Sequence, residues 1–301
     1  MKKAKEVDGA RIAVLILIDK YTEAEIFKKE QLEDLIMIHF PTIKQRMSFK
    51  VKKFFLPTLI TITPHLEKNT FEKEVFQVFC QFAEDDVWSV RKVCFEKISQ
   101  IVKYASNQEK VGKIMAILKQ GFFDSSRWAR LSAYQGYGEV LFEASKRGDV
   151  PEEQLIKFSD AFFSQDAVKE EAGVSDIVSG SFMNNSSDDI DRIRHCWAFN
   201  LPAALDILGS YYWQTRLFPI YAKLQTDIQL CVRKTLASSF GDVIKRVMPK
   251  DCFNQEMKEC FEKIIKVSLD DIDEIRIKIL PHLPVYARLL KDQAESEQFL
   301  V

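Results

Sequence analysis

Apolar residues recur every three or four positions along most of the chain, in stretches separated by short polar turns. Val75, Phe79 and Phe82 form one such stripe, and Val90 and Ile98 belong to the next. This spacing places the apolar side chains on one face of an α-helix. Gly and Pro number only 10 and 9 in 301 residues, whereas β-sandwiches need many turn residues. The pattern therefore predicts an all-α protein.

A short motif marks the turns between predicted helices: an Asp, five further residues, and then an Arg that follows an apolar residue. Its copies are Asp85–Arg91, Asp124–Arg130, Asp188–Arg194, Asp227–Arg233 and Asp270–Arg276, with Lys52 at the Arg position of a weaker copy. Successive basic residues lie 39 residues apart, except for intervals of 64 before Arg194 and 43 before Arg276. The motif is therefore an internal repeat.

A period near 40 residues with two helices per period is typical of HEAT repeats. We expect an all-α HEAT-repeat α-solenoid of about six to seven helix pairs, with residues 1–301 forming a single domain. The long interval contains the segment 149–191, which has eleven acidic and two basic residues and is expected to be an acidic insertion or loop. Stacked repeats expose an extended surface, so the architecture favours protein binding over catalysis.

The repeated Asp and Arg have a predicted structural role. The Asp precedes the second helix of each repeat, where its carboxylate is expected to cap free backbone N–H groups near the positive end of the helix dipole. The Arg is expected to bind that Asp or the Asp of the adjoining repeat. Repetition of this bond would give a structural ladder, whose predicted basic members are Arg91, Arg130, Arg194, Arg233 and Arg276.

Composition limits the function classes. Lys and Arg total 43 and Asp and Glu total 44, so the charge balance gives no indication of nucleic-acid binding. No apolar run reaches the roughly 18 residues of a membrane-spanning helix. Six cysteines without a CxxC pair are typical of reduced thiols, which predicts a cytoplasmic or nuclear location.

No catalytic motif stands out. The chain lacks a P-loop, a GxSxG and an HExxH sequence. The dipeptide His195-Cys196 has no second pair at metal-ligand spacing. The carboxylate pairs Asp85-Asp86 and Asp270-Asp271 contain the residue type of acid–base catalysts, but their recurrence at the same point of each repeat favours capping. We therefore predict a protein that is not an enzyme and that needs no metal or cofactor.

Several side chains allow two interpretations. Trp88 and Trp128 start the second helix of their repeats, where they either pack in the core or anchor a partner from an exposed ridge. The same alternatives hold for the aromatic cluster of Tyr211, Tyr212 and Trp213. A run of basic residues from Lys44 to Lys53 is either a solvated face or a docking site for an acidic partner surface.

Four segments are more specific than a general repeat: Ala83–Cys94, Phe123–Ala133, Ile193–Lys245 and Leu269–Leu283. The third contains His195-Cys196 followed by Leu201-Pro202-Ala203. In order and spacing, over roughly residues 70–290, these segments resemble the protein phosphatase 4 regulatory subunit 1 family, which is related to the scaffold subunit of phosphatase 2A. Family members continue with further repeats, so the resemblance suggests a fragment or a shortened relative.

The resemblance implies a non-catalytic regulatory or scaffold subunit. Its expected partner is the catalytic subunit of a phosphatase 4- or phosphatase 2A-like serine/threonine phosphatase, with phosphoprotein substrates as further partners. The related scaffold subunit binds through its inter-helix turns, so turn residues and the aromatic cluster are the predicted contacts. The candidates are Asp85, Asp86, Trp88, Asp124, Arg127, Trp128, Tyr212, Trp213, Asp227, Gln229, Asp270 and Asp271.

Two other functions remain open at this point. The chain fits an adaptor unrelated to phosphatases, such as a transport or cytoskeletal scaffold. An enzyme on the same frame, such as a helical-repeat DNA glycosylase, would need a basic concave face. The near-neutral charge and the repeated acidic turns argue against that enzyme.

Overall fold

The computed structural model describes residues 2–41, 47–164, 187–249 and 253–299. These residues contain helices and turns and no β-strand, which confirms the predicted all-α class. The chain divides into two compact units, Met1–Val150 and Pro151–Val301. Residues 44 and 46 of the basic run, Cys252 and the central part of the predicted insertion, 165–186, lie outside the described residues.

Within residues 2–41 and 47–150, the first unit contains seven helices. They are α1 (Lys2–Glu23), α2 (Lys29–Asp34, continued by a π-helical turn Leu35–His39), α3 (Phe49–Ile62), α4 (Lys68–Thr70, a π-helical turn Phe71–Phe76, and Gln77–Ala83), α5 (Trp88–Tyr104), α6 (Gln108–Gly121) and α7 (Arg127–Ser145). Helix α1 packs on α3, α3 on α5, and α5 on α7, while α4 and α6 pack beside this stack. The helix pairs α2–α3, α4–α5 and α6–α7 therefore follow one another as stacked repeats.

The second unit is built in the same way. Its helices are α8 (Glu152–Phe162), α9 (Ser187–Tyr212), α10 (a π-helical turn Trp213–Leu217, and Phe218–Leu224), α11 (Leu230–Val247), α12 (Gln255–Asp270), α13 (Asp273–Ile279) and α14 (Leu283–Phe299). Helices α9, α11 and α13 form a stack, with α10 and α12 packed beside it. Gly209 adopts a left-handed backbone, with φ of 77°, and interrupts α9.

Buried aromatic rings connect successive repeats in both units. In the first unit, the Phe55 ring on α3 lies 6.5 Å from the Phe82 ring on α4. In the second, the Trp213 ring lies 5.3 Å from Tyr221, which in turn contacts Phe261 at 6.2 Å. Because such rings remove large apolar areas from water, they supply much of the stabilisation of each stack.

The structure changes two expectations. Tyr212 and Trp213 are only 3% and 0% exposed, so neither can contact a partner directly. The Tyr212 hydroxyl lies 3.0 Å from the Asp160 carboxylate, and the Trp213 ring is part of the core. The beginning of the predicted 149–191 insertion is also helical. Its residues Leu155 and Phe158 are buried in α8, because the acidic residues of this helix occupy its other face.

Close packing between α5, α6 and α7 depends on Gly121. A Cβ atom at this position would lie 2.7 Å from the Phe95 ring and 2.9 Å from the Ala133 Cβ. We expect Gly121→Ala to lower the free energy of unfolding by about 1–3 kcal/mol through overpacking, measured by urea denaturation. The matched variant is Gly9→Ala in α1, where a Cβ meets nothing within 4 Å. It should be neutral or stabilising, and an equal loss in both variants would contradict this account.

Candidate partner-binding surface

The turns between the paired helices of the first unit are joined by ion pairs from one repeat to the next. The Lys52 ammonium on α3 lies 2.5 Å from the Asp85 carboxylate in the turn before α5. Arg91 on α5 binds Asp124 in the turn before α7 through two bonds, Nε at 2.7 Å and Nη2 at 2.8 Å. Each basic side chain therefore reaches forward to the Asp of the following repeat. We call each such bond a rung.

The same Arg side chains also bind the backbone of their own turn. Arg91 Nη1 donates to the carbonyl oxygens of Asp85 at 2.7 Å and Asp86 at 3.1 Å. Arg130 Nη1 donates to the carbonyl oxygen of Asp124 at 2.6 Å. A planar guanidinium can serve both purposes at once because its five N–H groups point in different directions. One Arg thus fixes the shape of its own turn and the position of the next.

The Asp carboxylates also form hydrogen bonds with the backbone of the turns. Asp85 Oδ1 accepts from the backbone N–H of Val87 at 2.9 Å, and Asp124 Oδ1 accepts from that of Ser126 at 2.8 Å. Val87 and Ser126 are themselves the N-cap residues. The Asp residues were predicted to cap the second helices, but they are not the N-cap residues. Each Asp lies two residues before the N-cap residue, and its carboxylate closes an Asx turn.

Rungs of the same kind join the repeats of the second unit. Arg194 Nε lies 2.6 Å from Asp227 Oδ2, and Arg233 Nε lies 2.6 Å from Asp271 Oδ2. The acceptor of the last rung is Asp271 and not Asp270, because α12 continues through Asp270 and the turn begins one residue later. The Asp188 side chain lies outside the described residues.

Arg276 forms no forward rung within residues 253–299 of the structure. Its guanidinium donates to the Asp271 carbonyl oxygen at 3.0 Å and to the Asp273 carboxylate at 2.7 Å. Arg276, a predicted member of the ladder, therefore bonds to residues of its own turn.

In two rungs, hydrogen bonding shifts the pKa of one partner toward its charged form. Hydrogen bonding to Asp124 raises the pKa of Arg91, and hydrogen bonding to Arg233 lowers the pKa of the Asp271 carboxyl. The carboxylates of Asp85, Asp124 and Asp227 are nearly inaccessible, with 9%, 7% and 5% of their side chains exposed. These predicted contact residues hold the turns in place and do not present their charges to a partner.

Trp88 and Trp128, like Phe123, are large exposed side chains at the turns of the first unit. The Trp88 and Trp128 side chains are 43% and 46% exposed, so neither of them is packed in the core. The guanidinium of Arg127 lies over the Trp128 ring at 4.8 Å. Asp86 is also exposed. We define the turn surface as Asp86, Trp88, Arg127 and Trp128.

The turns of the second unit differ in chemistry. Their exposed apolar residues are Ile228, Leu230 and Ile272, which the sequence analysis missed. Gln229, a predicted contact, instead donates to the Asp191 carboxylate at 2.5 Å. Ile228 directly follows Asp227, and Ile272 directly follows Asp271. Both are apolar residues at a turn position of the repeat, and this feature could have identified them from the sequence.

The described residues contain no group of three or more His, Cys, Asp or Glu side chains that could bind a metal ion. In the described part of the chain, no helix is long and apolar enough to span a membrane. The His195 ring has a hydrogen-bonding partner within the protein, because its Nε2 lies 3.0 Å from the Thr235 hydroxyl. The neighbouring Cys196 thiol is buried, which raises its pKa to about 12.

Comparison with known proteins confirms the resemblance found in the sequence. The chain is similar to serine/threonine-protein phosphatase 4 regulatory subunit 1 of Homo sapiens, Mus musculus and Rattus norvegicus. Each is 31% identical over 102 residues. The aligned segment covers 34% of this chain and 10% of each relative's length. No family model matches the chain. The similarity supports a regulatory or scaffold role in general terms.

Adjacent residues Arg91 and Lys92 provide a test of the rungs. Arg91 binds buried groups in two turns, whereas Lys92 forms an exposed pair with Glu96 on the same helix. We expect Arg91→Ala to lower the free energy of unfolding by about 3 kcal/mol. Lys92→Ala should change it by about 0.5 kcal/mol or less. Urea denaturation measures both, and similar losses would show that the rungs contribute no more than a surface pair.

The lowered pKa of Asp271 predicts how the last rung responds to acid. The unfolded carboxyl ionises near pH 3.9, so the rung contributes its full stability above about pH 4 and loses it as pH falls through the folded pKa. The difference in melting temperature between wild type and Asp271→Asn should therefore narrow below about pH 4. Asp273→Asn, which removes an exposed pair with Arg276, should have a small effect throughout. A constant difference down to about pH 2 would refute this assignment.

Proposed function

We propose that this chain is a non-catalytic regulatory or scaffold subunit that binds the catalytic subunit of a phosphatase 4- or phosphatase 2A-like serine/threonine phosphatase. The observation that carries the proposal is the turn surface of the first unit, where Trp88 and Trp128 project from consecutive turns. The similarity to phosphatase 4 regulatory subunit 1 supports this class of partner.

The geometry suits a preformed docking site. The Arg91–Asp124 rung fixes the two turns relative to each other, and the bonds of Arg91 and Arg130 fix each turn internally. Binding then costs little conformational entropy, because the aromatic side chains lie on an ordered backbone. Exposed Trp side chains are enriched among the residues that dominate binding energy at protein interfaces.

The carboxylate chemistry also favours scaffolding over catalysis. Asp85, Asp124 and Asp227 would be the natural candidates for acid–base work, but each is bound to a basic side chain and to a backbone N–H group. These carboxylates are nearly inaccessible and their oxygens are already bonded within the protein, so they are poorly placed to contact a substrate. The regulatory effect on the phosphatase, in this proposal, comes from positioning the catalytic subunit and its phosphoprotein substrates.

Binding of a purified catalytic subunit to the immobilised chain tests the proposal. Trp88→Ala with Trp128→Ala should weaken binding by about 100-fold or more, because each Trp is expected to contribute at least 1–2 kcal/mol. The matched control is Phe142→Ala on α7, whose ring is 48% exposed but lies away from the turns. Circular dichroism and thermal melting establish that all variants remain folded.

Three outcomes are distinguishable. Loss of binding in the double Trp variant alone supports both the function and the site. Equal binding by all variants places the catalytic subunit elsewhere on the chain, with the exposed Ile228 and Ile272 of the second unit as the next surface to vary. A folded wild-type chain that binds neither phosphatase 4 nor phosphatase 2A catalytic subunit refutes the function and favours an adaptor for other proteins.

A further inference from the structure

Helices α3 and α5 are held in register by a shared acceptor. Lys52 on α3 binds the Asp85 carboxylate, while Arg91 on α5 binds the Asp85 carbonyl oxygen. The two basic residues therefore occupy equivalent positions on adjacent helices. Residues at the same offset from them must also be equivalent, since both segments are continuous α-helices.

This register aligns exposed aromatic and basic side chains across neighbouring repeats. Phe49 and Trp88 stand three residues before Lys52 and Arg91, and both rings are exposed. Lys53 and Lys92 each stand one residue after. The Arg91–Asp124 rung extends the alignment to α7, where Arg127 lies over the exposed Trp128 ring. We call this set the aromatic–basic strip: Phe49, Lys50, Lys53, Trp88, Lys92, Arg127 and Trp128.

On α3, the strip carries positive charge that is not bound in an ion pair in the described part of the first unit. Lys50 and Lys53 are exposed, and within residues 47–164 neither has a carboxylate within ion-pair distance. Lys92 pairs with Glu96, but an exposed pair one helical turn apart is weak and exchanges readily with another anion. The nearby carboxylates of Asp85 and Asp124 are already bound in rungs.

We infer that the aromatic–basic strip binds an extended, acidic segment of a partner protein that carries an apolar side chain at about every third residue. Adjacent packed helices lie about 8–10 Å apart. An extended segment in the polyproline II conformation has three residues per turn and advances about 3.1 Å per residue, so that every third side chain points to the same face. Three residues of such a segment therefore span one repeat. Its apolar side chains contact Phe49, Trp88 and Trp128, and its acidic side chains face Lys50, Lys53 and Arg127.

A protein segment fits this surface better than a nucleic acid. The strip contains acidic side chains at fixed points, because Asp86 is exposed beside Trp88 and Glu96 lies one turn beyond Lys92. A regular phosphate backbone could not avoid these carboxylates, whereas a peptide can place an apolar or neutral residue against them. Binding to single-stranded DNA is therefore an outcome that would overturn the inference.

Fluorescence anisotropy with three labelled nine-residue peptides tests the strip in the full chain. The probe repeats Asp-Leu-Glu three times, the second peptide replaces each Leu by Ser, and the third replaces each acidic residue by Lys. Only the first should bind well, because it alone offers both acidic and apolar groups. Its affinity should fall as ionic strength rises from about 50 to 300 mM, since exposed charges are screened.

Variants on α3 isolate the strip from the proposed phosphatase site. Lys50→Glu with Lys53→Glu, and separately Phe49→Ala, should each weaken binding of the acidic probe by about tenfold or more. The matched charge control is Lys119→Glu on α6, an exposed lysine outside the strip, which should bind the probe like wild type. Thermal melting confirms that each variant is folded.

Three results would overturn the inference: no binding of the probe by the wild-type chain, equal binding by the Lys50/Lys53 and Lys119 variants, or tighter binding of the basic peptide or of single-stranded DNA. Phe49, Lys50 and Lys53 are not among the proposed phosphatase contacts, so their substitution should leave binding of the catalytic subunit unchanged. The strip and the turn surface share Trp88, Arg127 and Trp128, and the α3 variants distinguish failure of the strip from failure of the phosphatase site.

Discussion

The bond between a basic side chain of one repeat and the Asp of the next organises both units of this protein. A helix pair alone cannot bury its apolar face, so each pair depends on its neighbours. Apolar burial is non-directional and would tolerate small shifts between helices, whereas the two-bond contact of Arg91 with Asp124 permits one register. The same guanidinium also binds its own turn, so one side chain sets both the turn and the stacking.

The functional surface follows from this constraint. Residues at equal offsets from the rungs come into line, which is how Phe49 aligns with Trp88 on the next helix of the stack. Trp128 lies one position later in its repeat than Trp88 and is also exposed at its turn. The rungs bind the carboxylates of Asp85 and Asp124, so the exposed surface of the first unit is mainly aromatic and basic, with Asp86 as an exposed carboxylate. A stability device and a binding surface thus depend on the same few residues.

The two units share the same arrangement of rungs but expose different side chains at their turns. The first exposes aromatic rings at its turns, whereas the second exposes the aliphatic residues Ile228 and Ile272. Ile228 and Ile272 are equivalent to each other, because each directly follows an Asp that accepts a rung. Similarity to phosphatase 4 regulatory subunit 1 covers a third of the chain, so the class of partner is proposed from that segment and the contact chemistry from the structure.

The sequence alone determined the all-α class and the repeat, because apolar periodicity and the Asp–Arg spacing are local properties that a linear chain displays. It also identified the Asp and Arg residues that form the rungs. Only the tertiary structure decided that Arg91 reaches forward to Asp124, that Asp271 replaces Asp270, and that Trp88 is exposed while Trp213 is buried. These outcomes depend on which helix packs against which face, and an aromatic residue at a turn has the same sequence pattern in either environment.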